Sequence, residues 1–114
     1  MTHKEIEALV ISQPGVVLDY PFGETTAVYK IGSTEGKMFA LIAEDSKPVR
    51  LSLKCDPQLA EILREKYETV IPGYHLNKKH WNTILMTGQV PEDEFKSLVS
   101  LSYRLVSGED TPVI

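Results

Sequence analysis

Apolar positions along the chain follow two periods, one helical and one extended. Between Thr2 and Ser12, Ile6, Leu9 and Val10 recur at i, i+3 and i+4 and predict an amphipathic helix. Thr2 and Glu5 have capping-box spacing, and Pro14-Gly15 stops the segment. Residues 16–23 read as a connection with an extended start that ends in the aromatic turn Tyr20-Pro21-Phe22-Gly23. The period then shortens. Residues 25–31 are β-branched and aromatic, 37–43 form an apolar run, and 49–54 alternate. The Gly- and Ser-containing loop at 32–36 and the polar loop at 44–48 are short enough to predict an antiparallel meander. On the third of these strands Val49, Leu51 and Leu53 share one face, and Arg50, Ser52 and Lys54 the other.

Helical spacing returns after Asp56-Pro57, an N-cap followed by proline at the first helical position. Leu59, Ile62, Leu63 and Tyr67 mark its apolar stripe. Residues 70–72 are extended because Pro72 disfavours helix at Ile71, and 82–86 read as a short strand. Pro91 opens a last helix with Glu92, Asp93 and Glu94 in its first turn. Phe95, Leu98, Val99, Ser102, Leu105 and Val106 give it a broad inward face, and Gly108 is its stop. The order α, β-β-β, α, short β, α predicts an α+β domain: an antiparallel sheet with helices packed on one side. One domain is expected over 1–114, with 109–114 as a frayed tail.

Composition narrows the class. The 114 residues are 42% hydrophobic and 25% charged, as in an ordinary globular domain. Glycine and proline stand at seven each, which argues against a disordered or collagen-like chain. No apolar run is long enough for a transmembrane helix, so no membrane is expected as a partner. The opening Met1-Thr2-His3-Lys4-Glu5 is polar and does not read as a secretory signal. A single cysteine, Cys55, precludes an internal disulfide, and a reducing, cytoplasmic setting is expected. The net charge of -4 weighs against nonspecific nucleic-acid binding, although a local basic face can act within an acidic protein. No heptad repeat is present, and a monomer is the expectation.

Residues 73–82, Gly-Tyr-His-Leu-Asn-Lys-Lys-His-Trp-Asn, differ from everything around them. They combine His75, Asn77, Lys78, Lys79, His80 and Trp81 with no acid, a mixture suited to phosphates, bases or another anionic ligand. The structural reading weighs equally. Trp81 suits a core, the asparagines suit turns, and the lysines suit solvated surface. A metal site is not expected: His75 and His80 are five apart, off helical ligand spacing, with two lysines between them. Cys55 at a helix N-terminus with a histidine base would be the ingredients of a Cys/His enzyme, but Asp56 beside it disfavours the thiolate. No P-loop and no Gly-x-Ser-x-Gly elbow occur. Nothing in the sequence requires a cofactor.

Several pieces in this order carry a family resemblance: Pro14-Gly15, the turn Tyr20-Pro21-Phe22-Gly23, Lys37-Met38-Phe39-Ala40-Leu41, Leu53-Lys54-Cys55-Asp56-Pro57, Pro72-Gly73-Tyr74-His75-Leu76-Asn77-Lys78-Lys79-His80-Trp81-Asn82, and Ser102-Tyr103. With them the chain resembles the MmcQ/YjbR family of small bacterial proteins. The resemblance implies an α+β domain of CyaY-like, or double-wing, topology. It also implies a proposed role in binding double-stranded DNA, and no catalytic activity. On this expectation Arg50 and Lys54 contact phosphate from the sheet face, and Lys78 and Lys79 add charge from the loop. His75, Asn77, His80 and Trp81 are their neighbours. The alternative is a binding module for a protein or a small anionic ligand, in which the aromatic turn and the 75–81 loop line one pocket. Spatial adjacency of those two segments separates the alternatives.

Overall fold

The computed structural model describes residues 2–108, so the expected frayed tail lies outside the described residues. Three helices and six strands follow in the order α1 (His3–Ile11), β1 (Val16–Asp19), β2 (Thr26–Ile31), β3 (Met38–Ala43), β4 (Arg50–Lys54), α2 (Pro57–Lys66), β5 (Val70–Pro72), β6 (Trp81–Leu85) and α3 (Glu92–Ser107). The strands form one antiparallel sheet in the order β1-β2-β3-β4-β6-β5. The meander of β2, β3 and β4 is as the sequence predicts. Residues 16–19, read as an extended connection, are in fact an edge strand: Val16 to Asp19 pair with Ile31 to Val28. Lys30 fixes that edge with its ammonium 3.0 Å from Asp19 Oδ2, which holds the Asp19 carboxyl below the usual carboxylate range.

Capping follows the sequence. Thr2 and Glu5 exchange side-chain and backbone hydrogen bonds in a complete capping box. Asp56 Oδ1 accepts from the N–H groups of Gln58 and Leu59 at the head of α2. Gly108 ends α3 in the left-handed region, at φ 82°.

The main core lies between the helices and one sheet face. Ile6 and Val10 of α1, Ala60 and Leu63 of α2, and Phe95, Leu98 and Val99 of α3 pack with Tyr29, Phe39, Ile42, Leu51, Leu53 and Ile84. At β3 the register with β2 shifts between Tyr29 and Lys30, and Phe39 is left without a strand partner there. Its carbonyl accepts instead from Ser102 Oγ at 2.6 Å, and that hydroxyl oxygen in turn accepts from the Lys54 N–H at 2.9 Å. One buried hydroxyl thus joins α3 to two strands.

The opposite face carries a second, smaller cluster: Val28, Leu41 and Trp81, with Met38 and Leu76 packed against it. Trp81 stands opposite Lys54 in the β4–β6 register. The connection from β5 to β6 folds back over this face, and Leu76 seals the tryptophan. That approach requires Gly73. A Cβ there would lie 2.7 Å from Trp81 Cβ, and the Gly73 N–H donates to the Trp81 carbonyl at 2.9 Å. The face that β4 turns away from the helices is therefore partly roofed rather than open. Ser52, expected among its solvated polar residues, is buried because β6 lies alongside and Thr83 Oγ1 meets its hydroxyl at 2.8 Å.

Candidate functional site

Between the roof and the sheet lies a cavity of about 420 Å³. Its floor is made by side chains of the non-helical face: Thr26 from β2, Met38, Leu41 and Ala43 around β3, Arg50 and Ser52 from β4, and Thr83 from β6. Tyr74, His75 and Leu76 form one wall, and Phe22 and Asp45 complete the rim. Phe22 is 66% exposed and Tyr74 54%, so two large aromatic side chains flank the opening in contact with solvent. Apolar walls with a few convergent polar groups, at this volume, are the usual makeup of a small-molecule site.

Arg50 is the charged centre of the cavity. Its Nε donates to Ser46 Oγ at 2.8 Å, and its guanidinium carbon lies 4.8 Å from the centroid of the Tyr74 ring. Among the described residues no carboxylate forms an ion pair with it. Tyr74 is in turn held from both sides. Its N–H donates to Thr83 Oγ1 at 3.0 Å, and its ring lies 4.0 Å from the His75 ring. His75 adopts φ 60°, a left-handed conformation that histidine visits more readily than bulky residues do. This kink turns the chain so that consecutive side chains, Tyr74, His75 and Leu76, all reach the cavity.

Of the eight residues singled out in the sequence, only Arg50 and His75 line the cavity. Lys54 lies two residues along the strand from Ser52, outside it. Asn77 Oδ1 accepts from the Lys79 N–H at 3.0 Å, making a turn. The Lys78 ammonium donates to the Gly73 carbonyl at 3.1 Å and ties the roof to its own base. Lys79 is exposed. His80 is half-buried, and its carbonyl accepts from the Cys55 N–H at 2.8 Å. Trp81 is buried beneath the roof. The aromatic turn and the 75–81 loop do meet at this cavity, through Phe22, His75 and Leu76. Met38 and Leu41 belong to a family-like string but carry no site signal in the sequence, and neither do Asp45 and Thr83. Their contribution depends on strand register, which a single sequence does not display.

Cys55 is poorly placed for covalent chemistry. The thiol is buried, and burial, reinforced by the Asp56 charge, pushes it up to about 11. Among the described residues no helix is long and apolar enough to cross a membrane.

Fold and site thus define a small α+β protein with a roofed, ligand-sized cavity on the non-helical face of its sheet. The chain belongs to the YjbR family, whose model matches residues 11–105. Among its relatives are YbdF of Escherichia coli O157:H7, 36% identical over 91% of this chain and 83% of that one, and YyaQ of Bacillus subtilis, 28% identical over 92% and 98%. Both are described as uncharacterized proteins. The solved structure of Deinococcus radiodurans protein DR2400, with a DUF419 domain, superposes at a TM-score of 0.89. It is 36% identical, with 97% of this chain and 82% of that one covered. A crystal structure from Pseudomonas syringae follows at TM-score 0.78 and 28% identity, covering 93% and 99%.

Proposed function

We propose that this protein is a non-enzymatic binding module that takes a small amphipathic organic anion into the roofed cavity. The observation that carries the proposal is Arg50. A half-buried guanidinium is stacked on an aromatic ring, faces a cavity of about 420 Å³, and lacks a carboxylate partner among the described residues. A cation in that setting favours an anionic group, and guanidinium favours a planar one such as a carboxylate or sulfonate. Phe22, Met38, Leu41 and Leu76 offer the apolar contact for the rest of the molecule. Asp45 on the rim offers an acceptor, so a ligand with a hydrogen-bond donor beside its anion fits better than a bare anion.

Anilinonaphthalene sulfonate has this makeup and serves as the probe. Its fluorescence should rise to saturation at one molecule per folded chain. Arg50→Met should weaken binding about tenfold, the loss expected for one charge-assisted contact. Equal affinity in wild type and variant would reject the role of Arg50.

Double-stranded DNA is the second reading. It is favoured by the placement of Arg50 and Lys54 on one sheet face, with Lys78 and Lys79 on the roof beside it. Four phosphate contacts would give a salt slope of about -3.6, made shallower by removing both roof lysines. The net charge of -4, the Lys78 contact to Gly73 and the inward position of Arg50 make it the weaker of the two.

A further inference from the structure

Away from the cavity, three side chains converge where α1 meets the end of β3. His3 and Glu7 lie one turn apart on α1, and Glu44 follows β3 directly. His3 Nε2 stands 3.0 Å from Glu7 Oε1 and 3.8 Å from Glu44 Oε2. A ligand atom from each residue lies within 4.8 Å of the other two. His3 Nε2 is shut off from solvent and makes no hydrogen bond, despite the two carboxylates beside it. A shielded polar nitrogen without a hydrogen bond calls for a physical reason, and a bound ion is one.

We propose that His3, Glu7 and Glu44 form a binding site for a divalent transition-metal ion, with zinc as its natural probe. One imidazole nitrogen and two carboxylate oxygens are a donor set for zinc, whereas magnesium and calcium prefer oxygen alone. An ion about 2.0–2.2 Å from each donor needs donors roughly 3–4 Å apart, which small rotations of the two glutamates supply. The side chains are 24–37% exposed, so an ion reaches the two carboxylates from solvent. His3 and Glu7 precede the residues matched by the family model, so the site belongs to this chain and does not follow from family membership. The His-x-x-x-Glu spacing on α1 is the one sequence signal that points to it.

The test is calorimetric titration of the tag-free full chain with zinc, with cobalt(II) absorption as the second readout. One ion per chain is expected, with a tetrahedral cobalt spectrum. Glu44→Gln should weaken uptake at least about tenfold, since it removes a charged ligand. Its fold is protected because the Glu44 contact to Thr25 runs through the backbone N–H. A His80→Ala variant should bind as the wild type does. Zinc at about a hundred times its dissociation constant should raise the thermal midpoint by roughly 10 °C. No uptake, or uptake that Glu44→Gln leaves unchanged, overturns the proposal.

Discussion

Arg50 and Cys55 lie five residues apart and have opposite roles: one is a charge left available, the other a reactive group put away. Arg50 is held by Ser46 and Tyr74, so its guanidinium is already oriented when a ligand arrives. Arg50→Met keeps an unbranched apolar stem and removes the guanidinium with its charge. Thermal stability should change little while anion affinity falls. Cys55 gives a pH prediction. Its folded pKa is raised, so the folded state retains a proton that the unfolded chain releases earlier. The resulting stability is complete below the ordinary thiol value of 9.0 and is lost as pH climbs toward about 11. Buried Tyr29, also raised by desolvation, acts in the same direction at higher pH. Chemical denaturation should show stability declining above about pH 9, with a smaller decline in Cys55→Ala. A stability rising across that range would contradict the assignment of a buried neutral thiol.

At the scale of elements, Ser102 joins α3 to the sheet. Ser102→Ala strands the Phe39 carbonyl and the Lys54 N–H together, and should cost about 2–3 kcal/mol in urea unfolding with an unchanged m-value. Asp56→Ala should cost about 1 kcal/mol through loss of the α2 cap. Gly73→Ala should push the roof off Trp81 and weaken probe binding more than it lowers stability. Elements with local signals are legible in the sequence: the Thr2–Glu5 box, the Asp56-Pro57 start and the β2–β3–β4 meander all appear where the pattern puts them. The rest depends on distant partners. Residues 16–19 are a strand because Ile31 to Val28 pair with them, and β6 lies between β4 and β5 because it pairs with β4, about thirty residues back in the chain. The donor-rich string at 73–82 is visible as unusual, but most of it builds the roof. The cavity takes only His75 from it among the residues singled out, and gains Tyr74, because φ at His75 is not written in composition.

For the whole molecule, the question is which partner the non-helical face receives. Helices occupy the other face, so this one is where the sheet remains accessible. Its curvature around a cavity favours a small ligand, while Arg50, Lys54, Lys78 and Lys79 favour a phosphate backbone. The two differ in salt response, because a contact made inside a cavity is screened less than one on an open surface. The most direct measurement is an amide chemical-shift titration of the labelled chain, first with anilinonaphthalene sulfonate and then with a short DNA duplex, each at low and moderate salt. Saturable shifts at Phe22, Arg50, Ser52, Tyr74, His75 and Leu76 with the anion, little altered by salt, are the expected result. Shifts confined to Lys54, Lys78 and Lys79, seen only with the duplex and fading as salt rises, would contradict the cavity as the binding site.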